Sequence, residues 1–241
     1  MKNNYKNIDF MAQIIKQLTP LVSEHKQKRV EEILDQRTDH VAIILENVFQ
    51  PHNINAVLRS AECFGVSQVH IIEHGSYKKF QNHVGISRGA TDWIELAKHE
   101  SVEECIKALK EQGYRIIATS PHMQDCVKPQ HELKNLPINQ PVALLFGTEV
   151  SGISDQAIEL ADGFTTIPMY GFTESFNISV SAAIALYDLC TRLRASDINW
   201  HLTDTRKTVL RYQWYKSIVR GADELERLWQ AQENSNKGSA L

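Results

Sequence analysis

The stretch VAIILENVFQPHNINAVLRSAECFGV, residues 41–66, changes its apolar rhythm partway along. VAIILE, at 41–46, is apolar with no alternation, the pattern of a strand buried on both faces. From Asn53 the spacing becomes helical, with Ile54, Val57, Leu58, Ala61 and Phe64 on one face. A strand running directly into a helix is the opening unit of a parallel α/β sheet.

Beyond Gly65 the alternation continues. QVHII (68–72) reads as a strand, and SVEECIKALKEQG as a helix with a Ser101/Glu104 capping box and Gly113 at its stop. RIIATS (115–120), VALLFG (142–147) and GFTTIP (163–168) are three further strands, with a short helix at 154–161 and a long one at 179–194. The expectation is an α/β domain over 39–195, a mainly parallel sheet with helices on both faces. Residues 1–38 read as a helical N-terminal extension: Phe10, Ile14, Ile15, Leu18 and Leu21 share a helical face, Pro20 breaks it, and SEHKQKRVEEILDQR follows. Residues 196–241 read as a C-terminal extension. Between Arg192 and Arg220, seven Lys/Arg stand against two Asp, interleaved with Trp200, Tyr212, Trp214 and Tyr215. Such a segment suits RNA contact or a solvated helix whose aromatics dock on protein.

The net charge of -3 excludes a generally basic coat, so a nucleic-acid partner would be held by a local patch. Cys63, Cys105, Cys126 and Cys190 form no CxxC pair and read as reduced thiols, and no His/Asp/Cys set at ligand spacing points to a metal. With no signal-peptide pattern at the N-terminus and no run of eighteen apolar residues, a cytoplasmic protein without a membrane partner is expected.

Three segments at strand ends are unusually polar and glycine-rich: 46–66, LLFGTEVSGIS (144–154), and IPMYGFTESFNISVSAAIALYDL (167–189). Open α/β sheets bind ligands at the carboxyl ends of their strands. Gly147 and Gly152 permit tight turns around Glu149, while Ser175 and Asn177 offer oxygens at a helix entrance. Taken singly, each has an ordinary reading as a turn glycine or helix cap, with Asn53 as a cap and Arg59 as an ion-pair partner.

In this order and spacing the three segments resemble the motifs of the SpoU family of RNA 2'-O-ribose methyltransferases, within the SPOUT superfamily, and its TrmH-type tRNA enzymes above all. The matching residues are N-x5-R with a following G-V, FGxExxGxS, and IPMxG-x3-SxNxSVxxA, together with SRGATDW at 87–93. The resemblance implies a deep trefoil knot in the C-terminal part of the sheet and a homodimer that completes the site. It implies a bent S-adenosylmethionine touching Thr119, Gly147, Ile167, Met169 and Phe176, the last where many members carry Leu. Arg59 would face the target ribose, with Asn53, Glu149, Ser175 and Asn177 ordering it and the cofactor. Because arginine keeps its proton at neutral pH, Arg59 is better suited to binding a phosphate and stabilising charge on the 2'-oxygen than to acting as a base. The substrate implied is tRNA, at the D-loop guanosine 18, with ribosomal RNA as the alternative. Candidate phosphate contacts are Lys78, Lys79, Arg88, Arg192, Arg194, Arg206, Lys207 and Arg211.

Other classes fit less well. A nicotinamide-dependent dehydrogenase lacks its GxGxxG, and a serine hydrolase lacks its GxSxG. A catalytically silent RNA-binding protein of the same fold is the nearer rival.

Overall fold

Strand β1 (Val41–Glu46) is buried along its whole length because its two faces feed two different cores. Val41, Ile43 and Leu45 pack among residues of helices α3 (Pro51–Cys63) and α6 (Ile178–Arg194), whereas Ala42 and Ile44 pack among those of α4 (Val102–Glu111) and α5 (Asp155–Leu160). This explains the unbroken apolar run. In this computed structural model the described residues are 8–48, 50–73, 89–120, 127–148 and 151–238.

Seven strands form one sheet in the order β3-β2-β1-β6-β4-β7-β5, and every pairing is parallel. They are β1, β2 (Gln68–Ile72), β3 (Glu95–His99), β4 (Arg115–Thr119), β5 (Gln130–Glu132), β6 (Val142–Phe146) and β7 (Gly163–Thr166). The helical coverage of both faces matches the architecture expected from sequence. The two sheet edges, β3 and β5, are half-exposed and carry no continuous apolar run, so hydrophobic pattern alone does not mark them.

Local signals set the helix ends. Ser101 Oγ accepts from Glu104 N at 3.1 Å, and the Glu104 carboxylate reaches back to Glu100 N at 3.2 Å, one residue earlier than a standard capping box. Gly113 ends the segment at a φ of 87°, which glycine adopts without a Cβ penalty. Helix α3 begins at Pro51, so Asn53 lies inside its first turn and is not its cap.

The chain forms two compact units. Residues 37–201 hold the sheet. Residues 8–36 and 202–238 make up the other, with α1 (Ile8–Leu18), α2 (Glu24–Leu34), α7 (Asp204–Ile218) and α8 (Ala222–Gly238). There α7 packs along α1 and α2, and two ion pairs link its cations to the α2 end: Lys207 to Asp35 at 2.7 Å and Arg211 Nε to Glu31 at 2.6 Å. Among the described residues, no helix is long and apolar enough to cross a membrane.

Candidate active site

A cavity of about 580 Å³ opens at the carboxyl ends of the central strands, where parallel sheets place ligands. Thr119 ends β4, Phe146 ends β6 with Gly147 just after it, Thr165 lies in β7 with Ile167 just beyond its end, and Asn53 enters from α3. All five residues expected at the cofactor, Thr119, Gly147, Ile167, Met169 and Phe176, line this one cavity, as do Asn53, Ser175 and Asn177.

The loop after β6 owes its shape to two glycines. Thr148 and Gly152 bridge one another in antiparallel fashion, with N–H···O distances of 2.8 and 3.2 Å. Gly152 sits at a φ of 70°, and a Cβ on Gly147 would lie 2.2 Å from the Gly152 carbonyl. Any side chain at 147 would therefore pry the loop open. The buried Glu46 carboxylate, at the end of β1, accepts from Ser154 N at 3.1 Å and holds the far end of the same loop. Across the cavity, Thr119 Oγ1 donates to Leu145 O at 2.9 Å, which fixes its hydroxyl against β6.

Asn177 caps α6 by accepting from Ser179 N at 2.9 Å, and its amide nitrogen donates to Asn53 Oδ1 at 3.2 Å. The first and third motifs thus meet at the cavity. Arg59 does not join them within one chain. Six residues after Asn53, it is rotated about 120° around α3. It is exposed on the outer face with His52, Ala56 and Cys63, and no hydrogen bond joins its guanidinium to another described residue. Glu149, Lys78, Lys79 and Arg88 lie outside the described residues.

The other expected RNA cations have partners inside the chain. Arg192 bonds Asp188 at 2.8 Å and the carbonyls of Leu136 and Leu133 at 2.9 and 3.1 Å. Arg194 donates to Phe64 O at 3.0 Å and lies over the Trp200 ring, 5.0 Å from its centroid. Arg206 is buried, while Lys207 and Arg211 hold Asp35 and Glu31. Sequence reasoning does not single out Gln50, Ser120, Thr165, Glu174 or Ser181, which also line the cavity. Position next to the quoted motifs marks Gln50, Glu174 and Ser181; Thr165 is placed only by the pairing of β7 with β4.

The sequence profile of the SpoU rRNA Methylase family matches residues 40–187. A tRNA (guanosine(18)-2'-O)-methyltransferase of Borreliella burgdorferi is 37% identical over 88% of this chain and 94% of its own length. The enzyme of the same name from Thermus thermophilus is 34% identical over 69% and 82%. A solved structure described as the A. aeolicus TrmH/SpoU tRNA modifying enzyme superposes with a TM-score of 0.71 at 26% identity, covering 82% of this chain and 98% of the other. With the three motifs gathered at one cavity and a profile matched from β1 to well into α6, the chain belongs to the SpoU rRNA Methylase family.

Proposed function

We propose that this chain transfers a methyl group from S-adenosylmethionine to the ribose 2'-hydroxyl of an RNA in the cytoplasm, with guanosine 18 of the tRNA D-loop as its target. The observation that carries this reading is the Asn177 to Asn53 bond, which closes the first and third motifs over a cavity walled by the second. The names of relatives alike over most of their length supply the tRNA position.

The cavity suits the cofactor. Its volume of about 580 Å³ falls within the range of small-molecule sites, roughly 300–1,000 Å³. Ile167, Met169 and Phe176 offer an apolar bed, and Thr119, Ser120 and Thr165 offer hydroxyls. When bound, the cofactor supplies an activated methyl group on a sulfonium. The Thr148–Gly152 bridge and the Asn177 cap keep the walls pre-formed, so that little ordering remains to be done on binding. Ser175 and Asn177, exposed at the rim, would hold the ribose hydroxyl for the transfer once the cofactor is bound, and positioning is the main requirement of such a transfer. Glu149 belongs to the same loop by sequence and is assigned to ordering the site.

Arg59 acts on the cavity of a second copy. It stands on the outer face of α3, and the adjoining helix α6 exposes Val180 and Tyr187 at 44% and 64%, an apolar surface that suits a homodimer. From there its charge binds the phosphate beside the target ribose and stabilises the oxyanion that develops as the 2'-hydroxyl gives up its proton to solvent. Arg192, Arg194, Arg206, Lys207 and Arg211 contribute to RNA attraction through their field, their direct bonds being committed within the chain. A knot in the C-terminal part of the sheet is assigned from membership of the family, and the strand order, with β6 between β1 and β4 and β7 between β4 and β5, is compatible with it.

The test is methyl transfer from labelled cofactor to unmodified tRNA and ribosomal RNA transcripts, followed by nucleoside mapping. Label on the ribose of guanosine 18 is expected. Label only on ribosomal RNA overturns the substrate, and label on a base overturns the reaction.

A further inference from the structure

Away from the cavity, the sheet gathers three metal-ligating side chains that are far apart in sequence. Strand register sets His70 beside Ile44 and His99 beside Ile72, on the face covered by α4, which contributes Cys105. All three residues are buried, and one ligand atom from each lies within 4.8 Å of the others. The two imidazoles stack with centroids 5.3 Å apart, and His70 Nδ1 faces His99 Nε2 at 3.0 Å.

The ring protons of this cluster do not balance. Gln68 Nε2 donates to the Tyr114 hydroxyl, which in turn donates to Asp39 O, so the amide orientation of Gln68 is fixed. Its Oε1 therefore faces His70 Nε2 at 3.3 Å and requires a proton on that nitrogen. A neutral His70 then presents a lone pair at Nδ1, and His99 must donate from Nε2. That leaves His99 Nδ1 as a bare lone pair, buried without a hydrogen-bond partner and 3.8 Å from the Glu104 carboxylate. No neutral pair of rings satisfies all four nitrogens.

We infer that His70 Nδ1, His99 Nε2 and Cys105 Sγ form a binding site for a thiophilic d¹⁰ cation, Zn²⁺ or Cu(I). A cation between the facing nitrogens lets His99 carry its proton on Nδ1, toward Glu104, while His70 keeps its own toward Gln68. Each ligating imidazole then has an acceptor behind it, the outer arrangement that metal-bound histidines use. With metal–nitrogen bonds of about 2.0 Å, two tetrahedral ligands stand about 3.3 Å apart, close to the separation here. A proton in the cation's place would satisfy the same bonds but would leave no ion-binding site, which the titration below distinguishes. Burial pushes the free Cys105 thiol up to about 12, so the incoming ion must displace its proton: the S–H bond breaks, the metal–sulfur bond forms, and one H⁺ leaves to solvent per ion bound. Neutral nitrogens with one thiolate select soft ions over Mg²⁺ or Ca²⁺.

The test uses the full-length, tag-free protein stripped with chelator, then titrated with Zn²⁺ or, anaerobically, Cu(I) against a chromophoric competitor. One equivalent per chain is expected for at least one ion, with sulfur and nitrogen in its X-ray absorption shell and a rise in Tm. Cys105→Ser and His99→Gln should each weaken binding at least 100-fold, with far-UV dichroism confirming that the variants are folded. The site is overturned if neither ion reaches one equivalent on the wild-type protein. It is equally overturned if binding is stoichiometric but unchanged in folded Cys105→Ser, which would assign the ion to surface histidines.

Discussion

The Asn177 side chain donates a 3.2 Å hydrogen bond to Asn53 across 124 positions of sequence. The same side chain caps α6 through Ser179 N at 2.9 Å. Its two duties can be separated. Asn177→Ala should lose about 1 kcal/mol of stability with the cap and also lower methyl transfer about 100-fold or more. Asn53→Ala should lower transfer while leaving the cap intact. A double-mutant cycle on kcat/KM is expected to give a coupling of about 0.5–3 kcal/mol, and strictly additive losses would remove this bond from the mechanism.

Gly147 makes a second case, in which the constraint is purely steric. A methyl group there would stand 2.2 Å from the Gly152 carbonyl, well inside contact distance. Gly147→Ala should therefore displace the loop, costing about 1–3 kcal/mol of stability and weakening cofactor affinity about tenfold or more. Urea unfolding and calorimetric titration with the cofactor check the two effects. Unaltered affinity would show that the loop plays no part in the cofactor site.

Arg192 is a candidate for phosphate contact by sequence, yet its guanidinium ties the Leu133 and Leu136 carbonyls to α6 and pairs with Asp188. Removing it leaves those acceptors short of a donor, so Arg192→Ala should lose about 1–3 kcal/mol in urea unfolding. The slope of log K for tRNA binding against log salt should stay close to wild type. A slope shallower by about one would instead mark a direct phosphate contact.

What the sequence discloses follows the reach of the forces involved. The double burial of VAIILE, the Ser101 cap and the Gly113 stop are local, and each is legible from a few neighbouring residues. The convergence of Gly147, Ile167 and Phe176 is legible only through resemblance to a family, because their meeting depends on how β6 and β7 insert beside β4. Thr165 and the His70, His99 and Cys105 cluster depend on that kind of register alone and leave no short motif. Edge strands β3 and β5 escape for a different reason: with one side open to solvent, they need no continuous apolar run.

Arg59 carries the most demanding prediction, because helical geometry turns it away from the cavity of its own chain while the proposed chemistry needs it at a cavity. It is exposed, with no hydrogen bond to another described residue, so Arg59→Ala should leave stability within about 0.5 kcal/mol of wild type. Methyl transfer should nonetheless fall about 100-fold or more if this charge meets the developing oxyanion. The two copies can be interrogated by mixing. Arg59→Ala and Asn177→Ala chains, each lowered about 100-fold or more alone, should form mixed dimers that contain one intact site when arginine and cavity come from different copies, restoring about a quarter of wild-type activity. If arginine and cavity belonged to the same copy, each site in the mixed dimer would carry one of the two defects in full, and no activity would return beyond the sum of the separate variants.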